Sequence, residues 1–276
     1  VENDKSFGWA RLFNKGFAEV NGTRLYYEIL GRGHPLALVH GFTANTRMWD
    51  DQFEVFAKRF KVVRYDMRGF GKSALPIVGK EYSHTEDLKV LLNQLGIDYA
   101  YVVGSSMGGR IALDFALEYP EVTKALILAD SSLGGFQDWS KTDFDPDKEA
   151  KEKGVEAAKD LMMKTDPNIL RLAHEKPDVA VRAKQMISDY SGWHFVNTDP
   201  CRSLDPPAIE RLQEIRVPTL IIVGECDSSD FHRIADILNK KIQNSKRMIL
   251  KGVGHVPNME APREFNEAVL GFLVNV

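Results

Sequence analysis

Tyr101-Val102-Val103-Gly104-Ser105-Ser106-Met107-Gly108-Gly109-Arg110 is the stretch on which the fold turns. A β-prone run, Tyr99 to Val103, leads into a glycine-flanked serine. A helical run, Arg110 to Tyr119, follows and stops at Pro120. Gly104 and Gly108 stand two positions either side of Ser106, the Gly-x-Ser-x-Gly pattern. A serine in this setting sits on a turn so sharp that its backbone is strained, and the glycines remove the Cβ atoms that would collide there. Its hydroxyl then projects clear of the sheet. The helix opening near Met107 aims unpaired N–H groups at whatever Ser106 attacks. The same five residues also occur in plain Gly/Ser loops, so the pattern needs support from the rest of the chain.

Upstream, Gly16 to Val20 and Thr23 to Leu30 read as strands joined by Asn21-Gly22, a strong hairpin signal. Leu36 to His40 is apolar without alternation, which suits a central strand covered on both faces. A loop, Gly41 to Asn45, and an amphipathic helix, Met48 to Phe60, come next, then a strand from Lys61 to Asp66 that ends in glycine-rich Met67 to Ser73. Ser83-His84-Thr85-Glu86 has capping-box spacing, and Leu88, Leu91, Leu92 and Leu95 share one helical face closed by Gly96. Downstream, Lys124 to Ala129, Pro218 to Gly224 and Arg247 to Leu250 are strands, and Pro262 to Leu273 is a C-terminal helix. A hairpin followed by strands alternating with helices predicts an α/β fold, a mostly parallel sheet with helices on both faces.

Residues 131–211 break the alternation. They are polar and helical, with Asp147 to Lys164 and Asp178 to Tyr190 the best helices and Val179, Ala183, Met186, Ile187 and Tyr190 an apolar stripe. Because the sheet needs strands from both sides, residues 1–130 and 212–276 are expected to form the core. Residues 131–211 would then be a helical lid over the C-terminal strand ends, where open α/β sheets put their sites.

Composition bounds the function. The chain has 276 residues, 43% hydrophobic and 27% charged, enough for one large core of an ordinary soluble protein. A net charge of −3 and the lack of a Lys/Arg-rich run count against nucleic acid as a partner. Cys201 and Cys226 make no disulfide framework and match no metal spacing, so a reducing, cytoplasmic compartment is expected. No run approaches the length of a membrane span. Val1 to Gly16 is charged and lacks the apolar core of a secretion signal, although a start at Val1 rather than Met leaves a removed leader open.

Three chemistry-bearing residues fall at equivalent places, each just past a strand. They are Ser106, Asp227 in Gly224-Glu225-Cys226-Asp227, and His255 in Gly252-Val253-Gly254-His255-Val256. A serine hydroxyl is a poor nucleophile at neutral pH, so an imidazole must take its proton and return it to the leaving group. A carboxylate would hold that imidazole in the right tautomer. Asp230 and Asp130 compete with Asp227 for this part, and position favours Asp227. The backbone N–H groups of Met107 and Phe42 are the candidate donors to a developing oxyanion.

These pieces together resemble the α/β-hydrolase superfamily over nearly the whole chain. They are His40-Gly41-Phe42, Asp66 to Ser73, Gly104 to Gly109, Gly224 to Asp227 and Gly254-His255, in the chain order Ser, Asp, His. The resemblance implies an eight-stranded sheet, a Ser106–His255–Asp227 triad and an acyl-enzyme without cofactor. Ser106-Met107 departs from the aspartate nucleophile, usually followed by Trp, of haloalkane dehalogenases and epoxide hydrolases. The helix start resembles carbon–carbon hydrolases of ring-cleavage products, but Gly41-Phe42-Thr43-Ala44-Asn45 is less glycine-rich than their loop, and Val256 rather than Trp follows His255. An esterase or lactonase acting on a small ester or lactone is therefore expected. Carbon–carbon hydrolases, cofactor-free haloperoxidases or perhydrolases, and slow-turnover ligand receptors are the alternatives.

Other residues carry plainer expectations. Asp66 and Arg68 should shape a turn by local hydrogen bonds, and His40 should position the Phe42 loop. His174 and His194 read as surface residues and Cys226 as a packed small one. No His-Glu-x-x-His arrangement occurs, so no metal site is expected. Trp139, Trp193 and Phe195 read equally as the lining of an apolar acyl pocket or as glue between lid and core.

Overall fold

The computed structural model describes residues 13–276, so the reading of Val1 to Gly16 lies mostly outside the described residues. Strands β1 (Asn14–Val20) and β2 (Thr23–Leu30) pair antiparallel. Asn21 (φ 46°) and Gly22 (φ 71°) are both left-handed between them, as a two-residue hairpin turn demands. Six further strands follow: β3 (His34–Val39), β4 (Phe60–Tyr65), β5 (Ala100–Ser105), β6 (Thr123–Ala129), β7 (Thr219–Gly224) and β8 (Ser245–Leu250). The sheet runs β1-β2-β4-β3-β5-β6-β7-β8. β2 is antiparallel to β4, and every later neighbour pair is parallel. The C-terminal ends of β5, β7 and β8 therefore lie along one edge, and the residues that follow them can meet.

Every residue of β5 and β7 is buried, the burden of a parallel sheet covered on both faces. Val102, Leu126, Ile127, Leu128 and Ile222 are wholly sequestered, each worth about 1.5–3 kcal/mol of transfer from water. Helices α1 (Asp50–Ala57), α2 (His84–Gln94) and α3 (Met107–Glu118) come from the first half of the chain. Ser83 Oγ caps α2 by accepting from Glu86 N–H at 3.4 Å. A Cβ on Gly104 would strike the Gly108 carbonyl, and one on Gly108 would strike the carbonyls of Val39 and His40, so α3 lies closer to the sheet than any side chain permits.

Between β6 and β7 run α4 (Pro146–Lys153), α5 (Val155–Thr165), α6 (Pro167–Glu175) and α7 (Pro177–Asp189). Two core helices, α8 (Ser229–Lys241) and α9 (Pro262–Leu273), complete the chain. The apolar stripe expected on α7 is buried from Val179 through Tyr190. Arg182 pairs with Asp51 of α1 at 2.8 Å, and Lys176 Nζ donates to the Glu260 carbonyl at 2.7 Å, tying the insertion to the core. Among the described residues no helix is long and apolar enough to cross a membrane.

Two helix expectations need correction, and two helices went unexpected. The helix expected over Met48 to Phe60 opens as a tight turn, Thr46–Trp49, continues as α1 and stops early because Phe60 enters β4. Asp147 to Lys164 is two helices, since Gly154 (φ 94°) leaves the helical region and separates α4 from α5. Helices α6 and α8 were not foreseen: α6 is only nine residues long, and polar residues interrupt the Ile234, Ala235 and Leu238 face of α8.

Candidate active site

Ser106 follows β5 with φ 55° and ψ −118°, a backbone that L residues rarely adopt and that the surrounding glycines make room for. Its N–H donates to the Ala129 carbonyl at 2.9 Å, which pins the turn to β6. Ser106 Oγ–H donates to His255 Nε2 at 2.9 Å, and His255 Nδ1–H donates to Asp227 Oδ2 at 2.8 Å. That tautomer leaves the Nε2 lone pair facing the hydroxyl, so the ring can accept the proton as Oγ attacks.

Each loop in this chain of groups is braced. Asp227 Oδ1 accepts from Ser228 N–H at 2.7 Å. Glu260 holds the His255 loop, accepting from Gly254 N–H at 2.9 Å and Val256 N–H at 3.3 Å, a role the sequence reading missed. The Phe231 ring lies 4.3 Å from the imidazole, centroid to centroid, and limits its swing.

Electrostatics assign the charges. Burial works against ionised Asp227, but the His255 charge and hydrogen bond outweigh it and hold the carboxyl below its ordinary value. Burial likewise pushes the His255 imidazole down, and Asp227 more than reverses this, with Asp166 and Glu260 adding to the rise. Asp130, the rival acid, sits behind Asp227. Burial first, then the Asp227 charge and their mutual hydrogen bond, drive the Asp130 carboxyl far above the carboxylate range. Gly224 N–H donates to Asp130 Oδ1 at 3.0 Å, so this neutral acid links β6, β7 and Asp227. Asp230, the other rival, instead accepts from Ser140 Oγ–H at 2.6 Å and pairs with Arg233.

The Met107 and Phe42 N–H groups donate to no other group among the described residues. A Cβ on Gly41 would lie 3.4 Å from Ser106 Cβ, so the Phe42 loop abuts the serine. A cavity of about 200 Å³ opens above Ser106 and His255. Met48, Met162, Ile169, Leu172, Met186 and Met259 furnish most of its apolar wall, and Asp166 and Asn168 a polar part. Helix α6 brings three of its lining residues and its N-cap Asp166 a fourth, and the start signal, Asp166-Pro167, was present in the sequence.

A family model for the alpha/beta hydrolase fold matches residues 34–262. The chain belongs to the α/β-hydrolase family. Pimeloyl-(acyl-carrier protein) methyl ester esterase of Yersinia enterocolitica is 27% identical over 276 residues, 90% of this chain and 97% of that protein. Est816, an N-acyl homoserine lactone degrading enzyme, superposes with a TM-score of 0.76 at 27% identity, covering 93% of this chain and 100% of that one. Bromoperoxidase from Bacillus anthracis gives a TM-score of 0.77 at 27% identity, covering 95% and 100%.

In this α/β-hydrolase several expected residues take other places. Trp139, Trp193 and Phe195 do not line the cavity above Ser106. Trp139 is 44% exposed and packs on Phe136 and Phe231, one ring removed from His255. Phe195 is buried and meets Phe42 and Tyr190 edge-on, so of its two readings it follows the lid–core glue, and Trp193 flanks it beside His194. His194 is not a surface residue: it stacks on Phe70, and its Nδ1 bonds Tyr190 OH at 2.6 Å, because the seam needs a flat filler there. His174 is exposed. Cys226 is exposed rather than packed.

Asp66 does shape its turn, accepting from Thr46 and Lys72 N–H groups at 2.6 and 2.8 Å. Arg68 acts at longer range than expected, in a buried pair with Asp87 of α2. His40 braces the Phe42 loop, its Nδ1 bonded to the Gly41 carbonyl and its Nε2 accepting from Met67 N–H. Among the described residues no group of three or more His, Cys, Asp or Glu side chains is arranged to hold a metal ion.

Proposed function

We propose that the chain is a serine hydrolase that cleaves carboxylic esters or lactones of small substrates through an acyl-enzyme, with residues 131–211 as its lid. The observation that carries this reading is the unbroken hydrogen-bonded path from Ser106 Oγ through His255 to Asp227. Ser106 Oγ attacks the substrate carbonyl carbon while its proton passes to His255 Nε2. The oxyanion is received by the Phe42 and Met107 N–H groups, each worth about 3 kcal/mol in comparable sites. The imidazolium, steadied by Asp227, then protonates the departing alkoxide as the C–O bond breaks. Water repeats the sequence on the acyl-serine and releases the carboxylic acid; with a lactone, the alcohol stays tethered to the product.

The similarity to an esterase and to a lactone-degrading enzyme supports this class of bond. Carbon–carbon hydrolysis is less well served, because vinylogous diketone acids bring a carboxylate and no Lys or Arg lines the cavity. The test is turnover of a short-chain aryl ester. Ser106→Ala is expected to lose on the order of 10⁶ in kcat. Retention of most of the activity would remove Ser106 from the reaction. A single slow turnover by the wild type, without further cycles, would mark a ligand sensor instead.

A further inference from the structure

The walls of the Ser106 cavity bear on its substrate. An apolar cavity of about 150 Å³ takes a benzene ring, so the 200 Å³ above Ser106 suits an apolar group of about six carbons. Met48, Met162, Met186 and Met259 enter from four separate elements, and thioether chains mould themselves to a flexible aliphatic chain without fixing its shape. None of the lining residues is Lys or Arg. Lys184, next in sequence to Ala183, does not line the space, and three other cations of the insertion are already paired. Arg171 pairs with Glu175 and Glu260, Lys159 with Glu156 and Arg182 with Asp51.

The one carboxylate among the residues lining the space is Asp166. It stands in the wall at the start of α6. Its Oδ1 accepts from Asn168 and Ile169 N–H groups at 2.8 and 3.2 Å, and among the described residues no donor reaches its Oδ2. Glu260, beneath the His255 loop, is neutralised by Arg171 and does not line the space. A carboxylate carried into this cavity would lose water, meet no cation and face Asp166 in a medium that screens poorly.

Resting on the acyl-transfer reading above, we propose that this site takes uncharged acyl groups of about six carbons or fewer, and that Asp166 turns carboxylate-bearing chains away. Asp166 is a specificity residue, separate from the groups that exchange protons. Asparagine caps a helix as well as aspartate, so Asp166→Asn removes the charge and keeps the start of α6.

The experiment compares kcat/KM for p-nitrophenyl hexanoate, p-nitrophenyl decanoate and the p-nitrophenyl monoester of adipic acid, which matches the hexanoate chain but ends in a carboxylate. The wild type is expected to favour hexanoate over the adipate monoester by on the order of 100-fold, and to favour it over decanoate. Asp166→Asn is expected to shrink the hexanoate-to-adipate ratio about tenfold by raising use of the anion. A merely structural lesion would depress both esters and leave the ratio standing. Equal use of the two six-carbon esters by the wild type, an unchanged ratio in the variant, or decanoate used as well as hexanoate would overturn the proposal.

A second readout separates selection from chemistry. In the Ser106→Ala background, NMR titration gives the dissociation constants of hexanamide and adipic acid monoamide, with and without Asp166→Asn. If esters are not hydrolysed at all but the neutral amide binds better and the variant narrows the gap, acyl transfer is wrong and the selection stands. If esters are hydrolysed and the two amides bind alike, the selection is wrong and acyl transfer stands.

Discussion

At Asp130 and Asp227, two carboxyl groups in contact carry one negative charge between them. The buried partner holds a proton and gives Asp227 a hydrogen bond, while His255 supplies the opposite charge. Asp130→Ala removes that bond and leaves the Gly224 N–H without an acceptor, an expected loss of about 1–3 kcal/mol in stability. Asp130→Asn keeps both contacts with a neutral amide. A folded-state pKa raised above the unfolded one means that the wild type takes up a proton on folding, so its stability falls as pH rises above the carboxylate range. Asn carries no such dependence. The melting temperature of Asp130→Asn relative to wild type is expected to improve between about pH 5 and pH 8, read by thermal denaturation across that window. A pH-independent difference would contradict a neutral Asp130.

On the proposed mechanism His255 sets the pH profile of turnover. Its pKa lies above the ordinary 6.5, and only the neutral ring can accept the Ser106 proton. The acid limb of kcat/KM should therefore inflect above 6.5, with activity falling as pH drops through it. The stabilisation from the His255–Asp227 pair has the opposite sign: complete below the unfolded imidazole value, it is lost as pH rises through the folded one. Asp227→Asn removes the largest influence that opposes burial, so the inflection should move down while kcat falls on the order of 10⁴. An inflection that stays put in Asp227→Asn would mean that Asp227 does not govern the ring.

At the scale of elements, the junction of β5 and α3 depends on the absence of side chains. Gly108→Ala sets a methyl group against the Val39 and His40 carbonyls, backbone that cannot step aside. Overpacking of this sort costs about 1–3 kcal/mol or more, read as a lowered melting temperature or insoluble protein. Gly154→Ala is the control, since nothing lies within 4 Å of a Cβ there and only its φ of 94° is strained. Melts in which Gly154→Ala proves the more damaging would contradict this account of the junction.

The same contrast explains what the sequence made legible. Val102, Val103 and Gly104 announce β5 because a strand buried on both faces must be apolar and a nucleophile turn must be bare. The α7 stripe was equally plain, since Val179, Ala183 and Ile187 recur at helical spacing. Helix α6 escaped because its buried face is only Ile169 and Leu172, and the weight of its start falls on Asp166-Pro167.

At the scale of the whole molecule, the sheet gathers Ser106, Asp227 and His255 from three strand ends, the places just past strands at which the sequence put all three. The cavity was not legible. Its wall is assembled from the Phe42 loop, α5, α6, α7 and the turn after His255, and no local pattern records which faces of four inserted helices meet. Aromatic residues drew attention to Trp139, Trp193 and Phe195. The rings of Phe70, Tyr190 and Phe195 instead close the seam between insertion and core, Phe42 touches both seam and cavity, and four methionines join it in the cavity wall.

On the proposed mechanism Ser106 is activated by the imidazole at its side. Labelling by a serine-directed aryl phosphonate, with the modified peptide mapped by mass across a pH series, tests it directly. One label per chain on Ser106 is predicted, absent in Ser106→Ala and slowing as pH drops through the His255 inflection. Modification of another residue, or a Ser106→Ala protein labelled as readily as wild type, would contradict it.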